Sequence, residues 1–192
     1  MFRYRSLVAL LSLLATGCTF NLAPVHEGYP AKWQQLRPAS SSSCQDFVGI
    51  YDAIGERARS LPNGANTPRL LSIVGLIRTA DAAYASLQAA YVSIRVAQDG
   101  SAHMMALNSA KQPIIIAGMS EPMSCSGGNL ARDFTRSNYA DGNSHESRSH
   151  VTLSLTLDSA LVVHVTGASN TSDLLSDSKQ NYDLFYRFTR SP

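Results

Sequence analysis

The sequence predicts a mainly β domain (α+β) of antiparallel hairpins, either a β-meander sheet or a closed barrel, with a short helical insert. Three observations carry this. Val151, Leu153, Leu155 and Leu157 alternate with Thr152, Ser154 and Thr156, and Leu161, Val163 and Val165 resume the alternation after a turn, which is the period of a half-buried strand. The hydrophobic period changes from about 3.6 to 2 at Val92, where Val92, Ile94 and Val96 lead to Asp99-Gly100, a strong hairpin signal. The last expected strand covers residues 182–189, where Tyr182, Leu184, Tyr186 and Phe188 share one face.

At the N-terminus, Arg3 and Arg5 precede an apolar run over 7–14 and then Ala15-Thr16-Gly17-Cys18, the layout of a secretory signal peptide. The run is far short of the roughly 20 apolar residues a membrane-spanning helix needs. Small residues ending on a cysteine resemble the lipobox of bacterial lipoproteins, with Ala15 where Leu is usual. The resemblance implies that the signal is cut before Cys18 and that Cys18 becomes the diacylated first residue. In Gram-negative lipoproteins of this kind an Asp after the cysteine retains the protein at the inner membrane. Thr19 occupies that place, so the resemblance implies the outer membrane, with the domain facing the periplasm. The expected organisation is a signal peptide over 1–17, a lipidated N-terminus and flexible tether over 18–43, and a single β-rich domain over 44–192.

The formal charge of +2 comes from Arg3 and Arg5, which leave with the signal. Lys32, Lys111 and Lys179 are scattered, so the chain has no electrostatic footprint for nucleic acid. The expected partners are the membrane, through the lipid anchor, and either an envelope protein or an apolar ligand. With Cys18 assigned to lipid, Cys44 and Cys125 are expected to form a disulfide in an oxidising periplasm; two buried free thiols are the alternative. Neither has a second cysteine or a histidine at zinc-ligand spacing.

Residues 19–43 hold Pro24, Pro30 and Pro38 and end in a serine run, a composition that reads as a tether. Within it Tyr29, Trp33 and Leu36 either pack back on the domain or dock a partner. The folded part is expected to open as a strand, with Phe47 and Tyr51 on one face and Val48 and Ile50 on the other. Here Cys44-Gln45-Asp46-Phe47-Val48-Gly49-Ile50-Tyr51 resembles the Cys-x-Asp-Phe/Leu-x-Gly-x-Tyr/Phe opening of a group of small Gram-negative lipoproteins. Residues 158–163 and 186–188 are similar to the same group's penultimate hairpin and final strand. The resemblance implies no enzymatic residues.

A loop is expected over 61–66. Thr67 and Pro68 then stand as N-cap and first helical residue before Leu70, Ile73, Val74 and Ile77, although Gly75 leaves a buried strand over 70–76 open. Residues 80–91 are expected as a helix with Tyr84, Leu87 and Tyr91 on one face. A two-residue loop at Asp99-Gly100 pairs Val92 with Leu107, Ile94 with Met105 and Val96 with His103. A shorter apolar run over 114–119 leads to Cys125 and a Gly127-Gly128 turn, and residues 135–149 are expected as an exposed loop. At the second hairpin the expected loop is odd-numbered, Asp158-Ser159-Ala160, pairing Leu155 with Val163, because a slip of one residue turns a whole face outward. Residues 167–181 are expected as a loop. Closure into a lipocalin-like barrel would remove the exposed edges.

For chemistry the sequence offers little. His145 and His150, near Asp141 and Glu146, match no zinc motif. His103 is expected at the end of an apolar face, and His164 on the polar side of its strand. Gly118-Met119-Ser120-Glu121-Pro122 fails as a nucleophile elbow, and Ser176-Asp177-Ser178-Lys179 has the Ser-x-x-Lys form without its companion motifs. The expectation is a non-enzymatic protein with no catalytic residue, metal site or cofactor. The alternative is a metal-dependent or serine hydrolase, with His145, His150 and Asp141 as its set. Tyr84, Tyr91, Met105 (or Met104) and Tyr186 are expected either to line a barrel mouth that holds a lipid-like ligand or to fill core.

Overall fold

The structure is a computed structural model and describes residues 27–39, 42–59, 67–77, 79–116, 122–140, 143–172 and 177–192. The leader, Cys18, Asp141 and Ser176 lie outside these residues. In chain order the elements are a 3-10 turn (Cys44–Phe47), β1 (Gly49–Asp52), β2 (Glu56–Arg57), α1 (Leu70–Ile73), α2 (Ala80–Leu87), β3 (Tyr91–Val96), β4 (Ser101–Leu107), β5 (Met123–Ser126), β6 (Asn129–Ala140), β7 (Asn143–Leu155), β8 (Leu161–Ser172) and β9 (Asp177–Phe188). Nine strands among the described residues form one antiparallel sheet in the order β1, β3, β4, β5, β6, β7, β8, β9, β2, curled into a half-barrel. At one end its edges meet. The Asp52 N–H donates to Thr189 O at 2.9 Å and the Ser191 N–H to Ile50 O at 2.8 Å.

The sheet's interior is set by β6 to β9, whose registers run without a break. Leu130, Leu153, Val163 and Tyr186 are cross-strand neighbours, followed by Arg132, Val151, Val165 and Leu184, then Phe134, Ser149, Gly167 and Tyr182, then Arg136, Ser147, Ser169 and Gln180. Leu130, Leu153 and Val163 are fully buried in the main core, so side-chain alternation places all these rungs on the concave face. That face is apolar at its base and polar toward the hairpin tips. Residues 135–149, expected as a loop, are therefore strand apart from 141–142, which lie outside the described residues. Residues 167–172 and 177–181 likewise extend β8 and β9 rather than forming a loop. The reason is that ladder hydrogen bonds are made by the main chain. Once apolar side chains fix the register at the base, the pairing continues through polar residues.

The first hairpin departs from expectation by one residue. Val92 pairs with Ala106, Ile94 with Met104 and Arg95 with His103. The Ala97 N–H donates to Ser101 O, the Gly100 N–H donates to Ala97 O, and Gly100 has φ +82°. This is a three-residue loop with glycine in the left-handed position. Met104 therefore faces the core and Met105 the convex side, and His103 is exposed rather than at the end of an apolar face. The second hairpin uses the same connection. The Thr156 N–H donates to Ala160 O, the Ser159 N–H to Thr156 O, and Ser159 has φ +64°. Its loop is odd-numbered as expected, but it is Leu157-Asp158-Ser159, which pairs Leu155 with Leu161 and Leu153 with Val163.

Both helices pack on the concave side. Leu70, Leu71 and Val74 at α1 and Ala82 in α2 belong to the main core. The first helix starts after Arg69, not at Thr67-Pro68, and ends where Gly75 adopts φ +72°. A Cβ on Gly75 would lie 2.4 Å from the Phe134 ring, so glycine lets the chain turn while pressed against β6. Thr79 caps α2, its side chain accepting from the Ala82 N–H at 3.1 Å. The helix stops at Leu87, and Tyr91 opens β3 instead of sharing a helical face with Tyr84.

The opening of the domain is a 3-10 turn rather than continuous strand, yet Phe47 and Tyr51 both reach the core. Upstream, Trp33 buries with Val162 and Phe185 on the convex face, with Tyr29 and Leu36 against them. The Arg37 N–H donates to Leu155 O at 2.7 Å and the Leu157 N–H to Gln35 O at 2.9 Å. For residues 29–38 the flexible-tether expectation is thus corrected. This stretch is a strap on the sheet, and it is the packing alternative for Tyr29, Trp33 and Leu36 that the structure shows. Cys44 and Cys125 lie at disulfide distance, with Cα atoms 6.0 Å apart, within the span a disulfide allows. They join the 3-10 turn to β5.

Candidate functional site: a cleft over the polar half of the sheet

Because the concave face turns polar before the strands end, the helices cover only its apolar base completely. Between α1, α2 and the polar rungs lies a cleft of about 830 Å³, within the range of small-molecule sites. Val165, Leu184 and Tyr186 form its apolar sheet wall, Ile73 and Leu87 face them from the helices, and Arg136, His145 and Ser147 line the polar end. Each comes from the period-2 face of its strand or from the sheet-facing side of a short helix.

The cleft's polar groups are held in place by the protein. The Tyr182 hydroxyl donates to Arg148 O at 3.0 Å and lies 2.7 Å from Ser149 Oγ. Reaching β7 from β9 requires crossing β8, and Gly167 makes the crossing possible. A Cβ there would fall 2.1 Å from Arg148 O and 2.7 Å from the Tyr182 hydroxyl. Arg57 donates to the Tyr186 hydroxyl at 2.9 Å, with its guanidinium carbon 5.1 Å from that ring's centre. Arg69 Nη1 donates to Ser86 O at 3.2 Å, at the end of α2. Arg136 donates to Ser72 O and lies 5.1 Å over the Phe134 ring. Desolvation at the cleft wall lowers the Arg136 guanidinium from its ordinary value, partly offset by Tyr182. No carboxylate among the described residues lines the cleft.

Of the residues expected to hold a ligand, only Tyr186 lines this cleft. Tyr84 is 71% exposed on α2. Tyr91 lies on the face of β3 opposite Val92 and Ile94, with Lys111 Nζ 5.6 Å from its ring centre. Met105 is on the convex side, and its neighbour Met104 fills core. The hydrolase set is not brought together. His145 and His150 are an odd number of residues apart on β7 and so face opposite sides of the sheet. His145 lies 3.0 Å from Thr171 Oγ1 on the concave side, while His150 pairs with Asp133 at 2.8 Å on the convex side. Asp141 lies outside the described residues, among which no group of three or more His, Cys, Asp or Glu could hold a metal. His164 faces the convex side, 2.7 Å from Asp183.

Sequence reasoning missed Arg57, Arg69, Phe134, Arg136 and Ser149. The available signal was period-2 spacing in the polar stretches, where Arg132, Phe134 and Arg136 step along one strand and His145, Ser147 and Ser149 along the next. Compared with models of known families, with curated proteins and with solved structures, the chain matches none.

Proposed function

We propose that the chain is a non-enzymatic, lipid-anchored protein of the Gram-negative outer membrane that binds a small amphipathic molecule in the periplasm. Cys18 carries the anchor and the half-barrel carries the site. The observation that supports binding is the cleft, with an apolar wall of Val165, Leu184 and Tyr186 and polar groups at the other end. In this reading Cys44 and Cys125 are an oxidised pair formed outside the cytoplasm. A second reading, docking of an envelope protein, draws on Tyr84 and Leu87, which are 71% and 55% exposed on the same helix.

Native mass spectrometry of the full-length protein extracted from membranes of its host tests the proposal. The expected result is a chain beginning at an acylated Cys18, two hydrogens lighter than the reduced form, with a small molecule of discrete mass bound. A chain that keeps its leader in the soluble fraction would overturn the address. A copurifying protein with no small molecule would favour the docking reading.

A further inference from the structure

We infer that the amphipathic ligand bears an oxyanion, a carboxylate or a phosphate, that pairs with the arginines lining the cleft, Arg57, Arg69 and Arg136. This rests on the proposed small-molecule reading and specifies its chemistry. Outside the cleft several cations are matched by acids, although Arg37 and Arg190 donate to neutral oxygens. Lys32 lies 3.6 Å from Glu56, Arg148 2.9 Å from Glu146, and Arg187 2.8 Å from Asp158. Among the described residues the three cleft arginines meet neutral oxygens, the Tyr186 hydroxyl and the main-chain carbonyls of Ser72, Ser86 and Ala89. One nitrogen of each is engaged in this way, and a guanidinium has further N–H donors to offer. Arg57 Nε is buried without a partner.

Three cations lining one recess repel one another, and among the described residues their partial removal from water is offset by neutral acceptors and not by a carboxylate. An oxyanion supplies the missing charge and accepts from the planar N–H fork in pairs. The apolar wall, Val165, Leu184 and Tyr186, gives the uncharged body of the same ligand a surface to cover. The mature chain as a whole is close to electroneutral, so the preference is local to this recess and needs no general attraction to polyanions.

The test is native mass spectrometry of the full-length lipidated protein titrated with octanoate, octyl phosphate, octanol and inorganic phosphate, compared with Arg69→Gln, Arg136→Gln and Arg136→Lys. Octanoate or octyl phosphate should bind about tenfold or more tighter than octanol, as expected for hydrogen bonds to a charged group. Arg136→Gln should lose most of that preference and Arg136→Lys should keep part of it, with thermal midpoints showing that each variant is folded. The tighter of the two charged probes identifies the source, an acyl carboxylate or a lipid phosphate. Equal binding of octanol and octanoate overturns the oxyanion inference and leaves the small-molecule reading standing. Binding of inorganic phosphate as tight as octyl phosphate keeps the arginine site and overturns the amphipathic body. Binding of none of the four overturns both.

Discussion

The same strands, β6 to β9, have two halves that differ in side chains and not in backbone. Toward the base, Leu130, Leu153, Val163 and Tyr186 are buried with the helices. Toward the tips, Arg136, Ser147, Ser169 and Gln180 occupy the equivalent concave positions in an unbroken register. The base gains free energy by removing apolar surface from water, roughly 25 cal/mol per Å². The tips have little such surface and continue because their partners are already aligned. The base therefore carries the stability, and the tips are free to carry recognition.

The largest expected loss comes from cutting the cross-link at the base. Cys44 precedes the buried Phe47, and Cys125 pairs with the buried Leu130. With the two cysteines 81 positions apart in sequence, the Cys44→Ser/Cys125→Ser pair is expected to cost around 4 kcal/mol in the chain-entropy model, read from denaturant midpoints. A second comparison, of similar or smaller size, divides one strand. Leu153→Ala should cost about 2–5 kcal/mol through lost burial and a cavity. Ser147→Ala, on the same face of β7, should stay within about 0.5 kcal/mol. Equal costs for the two would show that the tips share the load and would remove the distinction.

That distinction also explains what the sequence revealed. Where apolar and polar residues alternate strictly, as in Leu153-Ser154-Leu155 and Leu161 to Val165, one face had to be buried, and the odd loop parity followed. In β4 both faces read as apolar, Ala102, Met104 and Ala106 against Met105 and Leu107, so the pattern alone could not choose a register. Asp99-Gly100 did not decide it either, because glycine with positive φ serves a two-residue loop and the observed three-residue one equally well. The polar tips resembled loops because composition reports burial rather than hydrogen bonding. Arg57, Arg69 and Arg136 are distant in sequence, and only the curl of the sheet and the position of the helices bring them to one cleft.

The last prediction compares the two coverings of the base, helices inside and the strap outside. Burial raises the Tyr29 phenol to about 12, with Arg187 working against the shift and Asp158 adding to it. An acid whose folded-state value lies above its unfolded value of about 10 stays protonated in the fold when the unfolded chain has begun to ionise. Its contribution is therefore complete below about pH 10 and is lost as pH rises toward 12. Tyr29 packs on the chain's single tryptophan, Trp33, at 5.6 Å between ring centres, so fluorescence reports the strap directly. Between about pH 10 and pH 12, Trp33 emission should move to the red while far-ultraviolet dichroism still shows an intact sheet. Tyr29→Phe should remove the step, since phenylalanine keeps the ring and has no proton to lose. A sheet signal that falls together with the tryptophan shift would mean that the strap is as integral to the base as the helices are.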